Sequence, residues 1–397
     1  MKWSKFYCVL PCAAALLLVA AQAHGQAADG PRQQALALEH QGDASGAATS
    51  WREVLQRDPS DSSAYAHLAQ MEARQQNFAQ AADDYRQALA LGSSLPGLRL
   101  NLGLALFQAN QMKDAFAVFA PLLKSAPPTS AEAQRLTILM GMAQYGLGDY
   151  AAAVPYLQLA ARRDAQNLPL RLTLAHSCLW SRQNQCVLDV YKEILALNPN
   201  SAEAYMLAGE ALDAMKQTSA AIEQFRAAVK INPQEPHAHF GLGYLLWTQK
   251  QYDEAAQEFQ AELGVDPADT QAMLYLADTQ IKAHRFAQAQ PLLERVEKAD
   301  PSLALAHLDM AIVLSEADQT AEALRELKEA NRLNPEVVDV HWRLGRIYRS
   351  QGKLEEAKAE FAKANALNKA ADQALFRMIA KGRPPSDPPP ADAPAAR

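Results

Sequence analysis

The chain has 397 residues, 49% of them apolar, and sets 38 basic against 44 acidic side chains for a formal net charge of -6. That acidic balance, with no block of like charge, argues against a nucleic acid partner. At this length two or three ordinary domains would fit, but an unbroken internal period makes one elongated array the better reading and leaves no room for a catalytic domain.

Lys2 and Lys5 open the chain, followed by an uncharged run from Phe6 to Ala23 that holds Ala13-Ala14-Ala15-Leu16-Leu17-Leu18-Val19 and ends in Ala21-Gln22-Ala23. A basic start, an apolar centre and a small-x-small end predict a secretory signal over residues 1–23. An uncleaved anchor in the inner membrane is the alternative, but Pro11 interrupts the run and its centre falls short of the roughly 20 residues a span needs. Cys8 and Cys12 precede most of the apolar stretch, so neither sits where a lipidated cysteine would. The expected location is therefore exported, periplasmic or secreted. Cleavage removes two lysines and takes the net charge to -8, with 36 basic against 44 acidic residues.

Pro199, Pro233, Pro267, Pro301 and Pro335 then recur every 34 residues, each preceded by Asn or Asp. A fixed period of this length predicts a stacked helical repeat. With the proline in slot 32, the frame steps back through Ala165 and, after a four-residue insertion near 128–132, through Pro127, Ser93 and Pro59, giving about ten units over residues 28–370. Slot 8 reads Ala35, Ala69, Gly103, Gly141, Ala175, Gly209, Gly243, Ala277, Ala311 and Gly345. Slot 20 reads Ala47, Ala81, Ala115, Ala153, Val187, Ala221, Ala255, Ala289, Ala323 and Ala357. Small side chains at both slots let two antiparallel helices approach closely, while bulky neighbours such as Leu102, Leu106 and Phe119 fill the remaining volume.

Each unit reads as helix A, a short turn, helix B and a tight connection. Proline disfavours helix in the residue before it and lacks an N–H, so the Asn-Pro or Asp-Pro pair ends helix B. Ser201, Asp269 and Ser302 are then placed to cap the next helix, and Pro236 suits a first turn. Gly148-Asp149 and Gly352-Lys353 supply the turn inside a unit, and Asn77, Asn110 or Lys250-Gln251 replace them elsewhere.

Asn101-Leu102-Gly103, Gly148-Asp149-Tyr150, Gly241-Leu242-Gly243 and Tyr252-Asp253-Glu254-Ala255-Ala256, closing on Asn-Pro or Asp-Pro, resemble the tetratricopeptide repeat family over about residues 28–370. The resemblance implies an all-α fold, a right-handed superhelical solenoid of antiparallel helix hairpins. It also implies a general task, holding peptides or protein surfaces, and names no reaction. A last helix over 371–381, with Leu375, Phe376 and Ile379, would cap the array, and the proline-rich residues 382–397 would form a disordered tail. The two cysteines left after cleavage, Cys178 and Cys186, fall on the two helices of one unit. They could pair in an oxidising compartment or serve as small core thiols.

No phosphate loop, G-x-S-x-G, H-E-x-x-H or C-x-x-C appears after residue 23, so no catalytic residue, cofactor or metal is expected. His239, His307 and His341 all fall in slot 4, and with His67 they read as packing side chains. In the family, helix A presents slots 2, 5, 9 and 12 to an inner face. Here those slots hold Leu100, Leu104 and Phe107, then Ile138, Met142 and Tyr145, then Leu172, His176 and Leu179, then Phe240, Tyr244 and Trp247, and finally Trp342. Such a stripe either forms a groove for a protein or peptide segment or packs between neighbouring A helices. Slot 5 is Leu, Ile, Met or Phe through much of the array, so the Lys-and-Asn carboxylate clamp of some family members is absent. Asp278, Lys282, Glu316, Arg346 and Arg349 add a mixed-charge patch toward the end. The expected function is an exported interaction scaffold serving envelope assembly, secretion or export. The alternative is a membrane-anchored spacer or a self-assembling repeat protein.

Overall fold

The computed structural model describes residues 30–380, with side chains to 374; the expected signal at 1–23 and tail at 382–397 lie outside the described residues. Among these residues there are twenty helices and no strand. The chain divides into two compact units at Gly148. The first holds α1 (Gly30–Gln41), α2 (Ala44–Arg57), α3 (Ser62–Arg74), α4 (Phe78–Ala90), α5 (Leu98–Gln108), α6 (Met112–Ser125) and α7 (Ala131–Gly146). The second opens with α8 (Tyr150–Arg163), α9 (Leu168–Trp180), α10 (Asn184–Leu197), α11 (Ala202–Ala214), α12 (Thr218–Ile231), α13 (Ala238–Thr248) and α14 (Tyr252–Val265). It continues with α15 (Thr270–Lys282), α16 (Phe286–Ala299), α17 (Ala304–Glu316), α18 (Thr320–Leu333), α19 (Val338–Ser350) and α20 (Leu354–Ala380). Odd-numbered helices occupy the helix A positions of the 34-residue frame and even-numbered ones the helix B positions.

Slots 8 and 20 are buried wherever they occur, from Ala35 and Ala47 to Gly345 and Ala357. Slot 24 of the facing B helix accounts for four of the five slot-8 glycines. Where it is phenylalanine, at Phe119, Phe225, Phe259 and Phe361, slot 8 is glycine. A methyl group added at Gly103, Gly209, Gly243 or Gly345 would come within 2.3, 2.7, 2.9 and 2.5 Å of that ring. Phe225 is clasped from two sides, since a methyl at Gly241 of the next A helix would also meet it at 2.3 Å. Each of the buried rings, Phe119, Phe225 and Phe259, contributes about 1.5–3 kcal/mol.

Every turn between helix A and helix B places slot 15 in the left-handed region. Gly42, Gln76, Asn110, Gly148, Arg182, Lys216, Lys250, His284, Asp318 and Gly352 all have φ between 58° and 81°. After α5, for example, Gln111 N donates back to the Leu106 carbonyl at 2.8 Å and Asn110 N to Phe107 at 3.1 Å, which satisfies the last carbonyls. The residue that turns after α3 is therefore Gln76, not Asn77, whose side chain instead donates to Glu72 at 2.7 Å. Within each of the two units the helices that flank such a turn pack closely, and residues that pay for positive φ are accepted there.

Of the expected caps, Ser201 and Asp269 accept from Ala204 N and Ala272 N at 3.3 and 3.0 Å. Ser302 does not cap α17; its N–H and hydroxyl both donate to Asp300, at 2.9 and 2.5 Å, and Leu303 takes the cap position. Pro236 lies just before α13, because His237 turns left-handed at φ 65° and Glu262 of α14 accepts the His237 and Phe240 N–H groups at 2.9 and 3.0 Å.

Residues 371–380 are not a helix of their own. They continue α20, which runs unbroken for 27 residues. Lys369 stands in slot 32, where most other units have proline, so the residue that bars helix B from continuing in those units is missing here. Ala371 to Ala374 are exposed along it.

Candidate functional site

In the first unit, α5 carries Leu100, Leu104 and Phe107 and α7 carries Ile138, Met142 and Tyr145, all half-buried. In the second unit, successive A helices touch one another, α9 with α11, α11 with α13, α13 with α15 and α15 with α17, and no two consecutive B helices described there make a comparable contact. Helices that approach more closely lie on the inner side of a stack, so this unit's inner side is built by its A helices.

The expected stripe on that side falls into separate patches. On α13, Phe240, Tyr244 and Trp247 are half-buried because Tyr275 of α15 rises among them, with ring centroids 5.7, 5.5 and 5.4 Å away. Tyr275 is 6% exposed and also stacks on Phe259 at 5.8 Å. Ala272 to Ile281 of α15 are buried without a break. The Trp247 indole N–H donates to Asp278 at 2.6 Å, and Lys282 lies 3.6 Å from the same carboxylate. Burial pushes the Asp278 carboxyl up, against the pull of Lys282 and of the indole. Asp309 of α17 is buried with one carboxylate oxygen unpartnered, and burial with the nearby Asp278 charge holds its pKa well above the usual range.

A second patch forms on α9. Leu172 and Leu179 are half-buried, and His176 Nε2 lies 2.7 Å from Glu203 of α11. The His176 ring is 5.1 Å from Trp180, which lies 4.7 Å from Tyr150 and is 44% exposed. Sequence reading missed Trp180 and Tyr150; a signal was available, because Trp180 follows His176 by one helical turn. A third patch is Trp342 of α19, 37% exposed and 5.1 Å from Phe361, with Arg349 lying 5.9 Å over the Phe361 ring.

A tetratricopeptide repeat model matches residues 32–96, 74–131, 100–167, 188–236 and 213–272, and a tetratricopeptide repeat-like domain model matches 246–380. The chain belongs to the tetratricopeptide repeat family. Its members are protein interaction scaffolds. Solved tetratricopeptide repeat structures similar to it include YrrB, a TPR protein with an unusual peptide-binding site, with 18% identity over 48% of this chain and 97% of that one and a TM-score of 0.40. MamA from Desulfovibrio magneticus RS-1 matches with 20% identity, 43% and 97% coverage and a TM-score of 0.40. The Cut9-Hcn1 complex matches with 12% identity, 87% and 88% coverage and a TM-score of 0.42. A search of curated proteins finds no significant match.

The remaining features are local to this tetratricopeptide repeat chain. Cys178 and Cys186 are joined by a disulfide, with Cα atoms 5.8 Å apart, linking α9 to the first turn of α10. The slot-4 histidines, all buried, face glutamates of the paired B helix: His239 with Glu258, His307 with Glu326 and His341 with Glu360. His67 stacks on Trp51 at 4.7 Å and meets Glu39 at 3.1 Å. In the first unit, buried Glu72 holds Arg52 and Asn77 at the floor of an open polar depression that Gln80 and Asn110 also line. Nearby Asp84 has an unpartnered buried oxygen, and burial, then the Glu72 charge, pushes its pKa up to about 6. Of the charged residues expected at the end of the array, Asp278 is buried under Trp247, whereas Lys282, Glu316, Arg346 and Arg349 are exposed. Among the described residues no helix is long and apolar enough to cross a membrane.

Proposed function

We propose that this tetratricopeptide repeat protein is an exported scaffold that holds an apolar or aromatic segment of a partner protein along its A helices, in envelope assembly, secretion or export. The observation that carries the reading is the exposure of two tryptophans, Trp180 at 44% and Trp342 at 37%, on helices of the A series. Tryptophan in such a position offers large desolvatable area at low rotamer cost, and it dominates binding energies where partners meet. The half-buried Leu100, Leu104, Phe107, Ile138, Met142 and Tyr145 give the first unit an apolar surface of its own. The mechanism is binding alone, with no bond made or broken. A preordered helical surface contributes because only the partner loses chain entropy on docking.

The test is affinity capture from an envelope fraction with wild type and a Trp180→Ala, Trp342→Ala double variant. Partners lost from the variant while its helical content and Tm stay at wild-type values support the reading. Identical capture by both proteins overturns it. The mass of the protein recovered from the expressing cell checks export, since cleavage would leave His24 as the first residue.

A further inference from the structure

Three positions in the second unit repeat one arrangement, a slot-4 histidine whose Nδ1 faces a glutamate of the paired B helix. The distances are 2.6 Å for His239 and Glu258, 2.7 Å for His307 and Glu326, and 2.6 Å for His341 and Glu360. His307 and His341 also turn Nε2 to the carbonyls of Pro301 and Pro335, at 3.1 and 2.8 Å. Carbonyls and carboxylates only accept, and a neutral imidazole has a single N–H. With Nε2–H given to the carbonyl, a cation must lie between Nδ1 and the carboxylate, either a proton or a metal ion.

At His341 only one glutamate faces Nδ1, and Lys363 also contacts that glutamate at 2.8 Å, so no second carboxylate is left to balance. His307 differs. Glu297 of α16 brings a second carboxylate to 3.3 Å from the same Nδ1, and that oxygen is buried with no hydrogen-bond partner. In the frame, Glu297 occupies the slot that holds Val229 before His239 and Asn331 before His341. Two carboxylates therefore converge on one ring nitrogen of a residue only 8% exposed. A single proton leaves a surplus negative charge where burial makes it costly.

We propose that Glu297, His307 Nδ1 and Glu326 form a site for a divalent first-row cation, with Zn²⁺ the best match to one imidazole nitrogen and two carboxylate oxygens. A dication in place of the Nδ1 proton balances both carboxylates, and the three donor atoms lie within 4.8 Å of one another. The Nε2–H bond to Pro301 fixes the ring orientation, as an outer partner does for metal-bound histidine. The ion would tie α16, α17 and α18 together. A second grouping, His237 with Glu262 and Asp269, does not compete, because Glu262 already caps α13 and Asp269 caps α15.

The experiment strips the full-length protein with EDTA and titrates it with Zn²⁺ by calorimetry. Wild type is expected to bind one equivalent with a Kd in the micromolar range or below. Glu297→Val, which copies the valine of the equivalent slot and so preserves packing, is expected to bind at least tenfold more weakly. Glu360→Gln, at the sister position, is expected to bind as wild type. No saturable binding by wild type, unchanged binding by Glu297→Val, or equal weakening in both variants overturns the proposal; circular dichroism checks that each variant is folded.

Discussion

The patches around Tyr275 and Trp180 both lie on A helices of the second unit, and both place aromatic rings in or beside the slots of the inner face. Around α13 the rings are knitted together by Tyr275, and the indole of Trp247 is tied to Asp278. Around α9 the slot that Tyr275 fills in the following A helix is taken by Leu207, and Trp180 keeps 44% of its surface exposed. An aromatic side chain in an inner slot is therefore available to a ligand only where the next A helix does not send a large ring back across it. Availability is a property of neighbouring pairs of units, and stability and binding should separate along the same line.

The sharpest way to break this comparison is Tyr275→Ala. Removing a buried ring that four others contact should destabilise the second unit by about 3–5 kcal/mol in urea unfolding; a loss below about 1 kcal/mol would mean that the α13 rings are surface after all. Next is Gly241→Ala on α13, whose methyl would sit 2.3 Å from the Phe225 ring. It should cost about 1–3 kcal/mol by overpacking, and adding Phe225→Leu should recover most of that loss.

Trp247→Phe keeps the ring but removes the indole donor from Asp278, a loss of about 1–3 kcal/mol for a buried acceptor left short. The sign of its pH dependence follows from the raised Asp278 carboxyl. Stability tied to the protonated acid is fully present below the ordinary carboxylate range and is lost as pH rises through the raised value. Without the indole the carboxyl rises further, so the deficit of the variant should be small near pH 3 and largest at neutral pH. Equal deficits at both would remove Asp278 from the account.

A smaller effect, and a stabilising one, is expected at the turn after α15, where His284 is held at φ 58°. His284→Gly should gain about 0.5–1 kcal/mol, since glycine adopts this region without a Cβ penalty. Trp180→Ala, which gives up ring contacts with His176 and Tyr150, should cost no more than about 0.5–1.5 kcal/mol, in contrast to Tyr275→Ala, while weakening partner capture.

Much of the fold was legible because it is periodic. The 34-residue spacing from Pro199 to Pro335 places the helix boundaries, and the small residues of slots 8 and 20 mark where paired helices touch. Local signals failed where a neighbour competed. Ser302 is drawn to Asp300 and leaves the cap position of α17 to Leu303, and Gln76 turned left-handed although Asn77 stands beside it. At the end of the array, a lysine in the proline slot let α20 run on past residue 370.

What the sequence determined by itself is the repeat, its register and the family, since each follows from residue type at a fixed spacing and from backbone rules that act within a few residues. Which apolar side chains remain available, that Asp278 is buried under Trp247, and that Glu297 and Glu326 meet at His307 were decided only in the tertiary structure. Those relations join residues on different helices, where distance and burial depend on what the neighbouring unit places opposite.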